Sequence, residues 1–243
     1  MKLYKYRTIG SEGSFERHAL KEIICERRLW FAKPSTFDDK LDCRPFVSVN
    51  SMDLMREWLV ERSKTNQLIN HNVDIDKVLQ MHTNSEWLEN RWFEVADSIT
   101  GVCCLSDSVD LAKQWVAYGD NCTGVCIEID LSLHCESTQP RAVRYSDTRP
   151  VVYMDQFVTD FEYRETMTYE VLTTKAKRWE SESEYRLLAV EDEYPSPGKS
   201  YLFHRDCFTN IFVGQRASSE NIDYVESLLG ESEIDCPFKV YRS

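Results

Sequence analysis

Residues 177–190 read KRWESESEYRLLAV, with Glu180, Glu182, Glu184 and Arg186 at every second position. That is the period of a strand, in which alternate side chains share a face. A strand over 182–190 puts Glu182, Glu184 and Arg186 on one face. Ser183, Tyr185 and Leu187 take the other, which the pattern predicts as the core face. Carboxylates two apart on one face repel each other unless water screens them or a cation or ligand lies between. The run ends in Leu-Leu-Ala-Val, so its carboxylates approach a buried end. Partial desolvation and a neighbouring cation tune ionisation there, as catalysis requires. A solvated polar face with one Glu–Arg contact is the plainer reading of the same spacing.

The rest of the chain can supply the core this strand needs. Of 243 residues, 42% are hydrophobic and 12% aromatic, enough for one large domain. A net charge of -12 argues against non-specific attachment to nucleic acid or an anionic membrane, which depends on excess Lys and Arg. The opening MKLYKYRTIG has no apolar signal segment, and no stretch reaches the length of a membrane span. The nine cysteines are scattered and odd in number, which reads as reduced thiols. The expectation is a cytoplasmic protein with no membrane partner.

Along the chain, KLYKYRT (2–8) predicts a first strand and 14–28 a helix with Ser14 as N-cap and Phe15, Ala19, Ile23 and Ile24 as its apolar stripe. LWFAK (29–33) reads as a short buried strand stopped by Pro34, and 34–46 as a loop. Residues 51–98 carry helical periodicity, broken by the polar TNQLINHNVD, and read as a helical insertion within a single domain spanning 1–243. A buried strand (100–107), a helix (108–120) capped by Ser108, and strands at 123–131 and 141–147 follow. A long helical stretch (154–179) precedes the glutamate strand; two strands, a capped helix and a closing strand end the chain. The sum is an α+β fold.

Three further groups could carry chemistry. Lys5 and Arg7 share one face of the first strand and Tyr4 and Tyr6 the other. Two cations on one face suit a phosphate or carboxylate, or simply protect an edge strand. PSTFDDKLD offers Ser35 and Thr36 to a ligand phosphate or ribose. Its Asp38, Asp39 and Asp42 could join Glu182 and Glu184 in an oxygen-rich Mg²⁺ site, as a nuclease would use, or act as turn caps. Trp115 and Tyr118, three apart on a helix, suit stacking on a base or plain core packing. The sequence has no G-x-G-x-x-G after a strand, no G-x-x-x-x-G-K-[ST], no G-x-S-x-G and no C-x-x-C, and its five histidines are isolated, so no metal is expected.

The order of LYKYR, LWFAKPSTFDDKLD, VCCLSDSVDLAKQWVAYGDNCTGVCIEID and KRWESESEYRLL resembles the bacterial family called domain of unknown function 2971. It departs at Asp38-Asp39-Lys40, where that family tends to have Asn-Asp-Pro. More distantly, LYKYRT, the helix after it and RRLWFAKPS are similar to the start of DarT-type ADP-ribosyltransferase toxins, and SEYRLL looks like their late catalytic strand. Lys5 stands where those proteins have a histidine. The second resemblance implies an ADP-ribosyltransferase-like split β-sheet with flanking helices, NAD as substrate and an unidentified macromolecular acceptor, in toxin or phage-defence biology. Glu184 would be the catalytic carboxylate and Glu182 would hold or deprotonate the acceptor. Lys5, Tyr6, Arg7, Ser35, Phe37, Tyr118 and Arg186 would bind NAD. A metal-dependent nuclease and a non-catalytic sensor or interaction module are the alternatives.

Overall fold

The computed structural model describes residues 1–65, 74–133, 139–190, 198–232, 234 and 236–241. Most of the polar loop expected at 65–74 therefore lies outside the described residues. In chain order the elements are strand β1 (Lys2–Arg7), helix α1 (Phe15–Ile24), β2 (Arg28–Phe31), β3 (Phe46–Ser48), α2 (Met52–Thr65), α3 (Ile75–Met81), α4 (Ser85–Ile99), β4 (Thr100–Ser106), α5 (Ala112–Ala117) and β5 (Val125–Asp130). They continue with β6 (Arg141–Ala142), β7 (Arg144–Ser146), β8 (Val151–Tyr153), α6 (Met154–Thr159), α7 (Phe161–Leu172), β9 (Thr174–Ala176), β10 (Glu184–Val190), β11 (Lys199–Leu202), β12 (Phe208–Val213), α8 (Ser219–Glu231) and β13 (Phe238–Val240). The chain is α+β, and its main sheet is mostly antiparallel. The chain divides into two compact units: residues 1–33, 100–143 and 178–243, and residues 34–99 and 144–177. The 51–98 helices, expected as an insertion, fall in the second unit beside 144–177.

The first unit is built on a sheet of order β13-β12-β5-β1-β4-β10-β6. β4 and β5 are near-continuous buried runs, as central strands should be. On one face Leu3, Leu105, Ile127, Leu187 and Ile211 pack with Leu20 and Ile24 of α1 and Val225 and Leu228 of α8. Each such side chain contributes about 1.5–3 kcal/mol by leaving water. Leu187 is thus on the core face the alternation predicted. Phe15 is not in the stripe; it is 74% exposed, and Leu20 is buried in its stead. Five residues at about 100° each put Phe15 well off the line of Leu20. Ser14 caps α1 as expected, its side chain accepting from Arg17 N.

β1 is bonded unequally on its two sides. With β5 it runs in register for its whole length, from Lys2↔Asp130 to Arg7↔Val125. With β4 it shares one residue pair, Tyr4↔Ser106. β4 meanwhile keeps a complete register with β10, from Glu184↔Ser106 to Val190↔Thr100. Farther along the β1 side of β4, Ala32 pairs with Val102 through two bonds of 2.9 Å. Between these points the Lys5 ammonium donates to Cys104 O at 2.7 Å. The sheet is therefore two ladders joined at a seam.

The second unit packs Val47, Leu88, Trp92, Ala96, Val152, Met167 and Val171 into its own core. Buried Asp155 accepts from Asn50 N and Ser51 N, satisfying N–H groups ahead of α2. The single helix expected over 154–179 breaks at Asp160, whose carboxylate caps α7 by accepting from Tyr163 N at 3.1 Å. Among the described residues, no helix is long and apolar enough to cross a membrane.

Candidate active site at the sheet seam

The glutamate run is not one strand. Lys177–Glu182 forms a 3-10 turn, β10 starts at Glu184, and Ser183 between them has a left-handed φ of 44°. The turn takes Glu180 out of line and leaves it exposed, whereas Glu182 and Glu184 are buried at 7% and 5% exposure. Ser183 is held from both sides: its N–H donates to Glu180 O and its carbonyl accepts from Asp107 N. Such a non-glycine conformation costs of order 1–3 kcal/mol and persists only where its surroundings fix it.

The two carboxylates rest on different supports. Arg186 Nε donates to Glu184 Oε1 at 2.7 Å, and Arg186 is completely buried. Tyr118 OH donates to Glu182 Oε1 at 3.1 Å, and Gln114 Nε2 donates to the Glu182 carbonyl at 3.2 Å. Tyr118 itself remains 43% exposed at the end of α5. Cys104 lies opposite Arg186 in register. Burial first, and then the charge of Glu184, push its thiol well above the ordinary value.

Glu184 opens a polar row that crosses five strands. Register places Glu184 opposite Ser106, Ser106 opposite Tyr4, Tyr4 opposite Glu128, and Glu128 opposite Asn210. All five therefore share one face, with Glu184 and Glu128 roughly 14 Å apart at strand spacing. Ser106 is 5% exposed. Glu128, equally buried, accepts from Lys2 Nζ (2.8 Å), Tyr4 OH (2.9 Å), Thr209 Oγ1 (2.6 Å) and Asn210 Nδ2 (2.7 Å). Burial alone would raise its pKa; these four donors outweigh that and hold it down at about 2. Burial, with the hydrogen bond to Glu128, lifts the Tyr4 phenol to about 12.

Lys5 and Arg7 share one face of β1, as the alternation in the sequence predicted. Alternation sends Lys5 and Arg7 from β1 on the side opposite Tyr4, so they reach the seam from the far side of the Glu184 row. Both still act on the Cys103 thiol, as does Glu184. Arg7 Nε is buried and meets no hydrogen-bond partner among the described residues, and burial lowers the pKa of its guanidinium. Tyr6, expected to contact NAD, packs inside the first unit. It is 6% exposed, donates to Ser108 O at 2.8 Å and meets the Trp115 ring edge-on at 5.2 Å. Trp115 stacks on Tyr241 and is also core, while α5 starts only at Ala112 and draws no side-chain cap from Ser108.

Ser35 and Phe37 belong to the second unit, as do Asp38, Asp39 and Asp42. There Ser35 is exposed and its N–H donates to Asp97, Asp39 caps its own turn by accepting from Leu41 N, and Asp42 is buried 4.0 Å from Lys175.

Sequence reasoning missed Glu128 and Ser106. The signal for Glu128 was a carboxylate inside the apolar run VCIEI, a residue type that is rarely buried without partners. Ser106 lies inside the buried strand read at 100–107, where nothing in the sequence marks it as a site residue.

The site thus joins the buried carboxylates of Glu182 and Glu184, the hydroxyls of Tyr4, Ser106 and Tyr118, and the cations of Lys5, Arg7 and Arg186 around a seam in a sheet. Residues 114–187 match the family described as Protein of unknown function (DUF2971), which supports the resemblance found in the sequence. The match runs from Gln114 to Leu187 and so includes Tyr118, Glu128, Glu182, Glu184 and Arg186. Neither a curated protein nor a solved structure matches the chain.

Proposed function

We propose that the chain transfers ADP-ribose from NAD to a macromolecular acceptor at the seam between β1 and β4. The observation that carries this reading is the place of Glu184: buried, held by Arg186, and in register with the pair that joins the two ladders. Breaking the nicotinamide–ribose bond sends its electron pair out with nicotinamide and builds positive charge on the ribose. A carboxylate in a low-dielectric site opposes that charge strongly without reorganising. Arg186, whose Nε donates to Glu184 Oε1, holds that carboxylate in place for the purpose. The acceptor then bonds the ribose carbon and gives its proton to Glu182, which Tyr118 orients. Lys5 and Arg7 would meet the diphosphate; the unpartnered Nε of Arg7 supports that role.

Calorimetric titration with NAD, run beside an assay for released nicotinamide, tests the reading. Wild type should bind NAD saturably and release nicotinamide. Glu184→Gln should keep binding and lose turnover by about 10² or more. Absence of binding at millimolar NAD would sink it, and Mg²⁺-dependent RNA cleavage without NAD would favour the nuclease alternative.

A further inference from the structure

The polar row continues past the reaction centre to Glu128, two strands beyond Ser106, and the partners of that carboxylate divide unevenly between its oxygens. Oε1 accepts from Lys2, Thr209 and Asn210, while Oε2 accepts from Tyr4. A tyrosine hydroxyl has one proton, and an ionised carboxylate can only accept. We propose that Glu128 is a positioning residue of the site: it takes the only proton of Tyr4, so that Tyr4 offers lone pairs alone and the ligand group meeting it must be a hydrogen-bond donor. This rests on the NAD reading for the donor's identity, an O–H or N–H of the nicotinamide riboside half.

A purely structural Glu128 would tie β1, β5 and β12 together without setting the polarity of Tyr4. Glu128→Gln separates the two roles. Three donors converge on Oε1, so the amide oxygen must occupy that place and the amide nitrogen must face Tyr4. An N–H donating to the Tyr4 oxygen turns the phenol proton outward, converting Tyr4 from acceptor to donor with no change of shape. The other titratable groups acting on Tyr4 and Glu128 are Lys2, Asp110 and Cys126, and the variant leaves all three in place.

The test uses the full chain with ¹³C-labelled tyrosine, the Tyr4 signal being assigned by its loss in Tyr4→Phe. In wild type Tyr4 should stay protonated through pH 11, in keeping with a pKa of about 12. In Glu128→Gln its proton affinity should fall about tenfold or more. NAD affinity should then rank wild type above Tyr4→Phe, which lacks the acceptor, and Tyr4→Phe above Glu128→Gln, which confronts one donor with another. The last loss should be about tenfold or more in Kd at an unchanged fold by circular dichroism. Tyr4 titrating alike in wild type and Glu128→Gln would overturn the proposal, as would equal NAD affinity in wild type and a folded Glu128→Gln. Failure of the wild type to bind NAD would reject the transferase reading, and the titration would still decide the polarity of Tyr4.

Discussion

The two sides of β1 make a controlled comparison, because one strand of six residues serves both. On the β5 side every residue is paired, and Glu128 adds side-chain bonds from Lys2 and Tyr4 on β1 and from Thr209 and Asn210 at β12. On the β4 side there is one residue pair, and Ala32 has taken Val102. The same backbone thus forms a closed joint and an open one. A ligand can enter a sheet only where backbone groups are not already bonded to each other, which is why the candidate chemistry sits on the β4 side. Glu128 and Glu184 repeat the contrast. They are equally buried, but one is enclosed by neutral and cationic donors from neighbouring strands and the other is braced by a guanidinium on its own strand.

The largest expected effect is on the open side. Arg186→Met removes the buried guanidinium that donates to Glu184 and should cost about 3–5 kcal/mol in urea unfolding. Adding Glu184→Leu should recover most of that loss; a single variant as stable as wild type would mean that Glu184 does not depend on Arg186. The closed side should respond to acid. Glu128 is depressed to about 2 from 4.5, so its stabilisation is fully present above 4.5 and drains away as pH falls towards 2. Unfolding midpoints should decline over that window, less steeply in Glu128→Gln; parallel declines would remove Glu128 as the cause. The smallest effect compares the two joints directly. Amide exchange at β4 positions facing β1 should run about tenfold or more faster than at β4 positions facing β10. Equal protection would contradict a seam.

Much of the secondary structure in both units was legible in advance. The core side of β10, the cap of α1, the strands at both ends of the chain and the helical 51–98 all follow from local period and capping residues. What stayed hidden depended on partners remote in sequence. Nothing in ESESEYR marks Ser183 as left-handed; that conformation is imposed by bonds to Glu180 and Asp107. Tyr6 and Tyr4 are alike in sequence, yet one meets Trp115 and the other Glu128. Period assigns a face, and the neighbouring strands decide what that face does. Lys5 and Arg7 teach the same lesson, since no spacing within β1 could show which of its sides would open.

The Lys5 bond to Cys104 O has a mechanical meaning. A backbone rung can be broken only by pulling two strands apart, whereas a rung at the end of a lysine stem can swing aside while both ladders stay intact. Closure here works as a latch, and any anion that attracts the Lys5 ammonium away from Cys104 competes directly with the catch that holds the door.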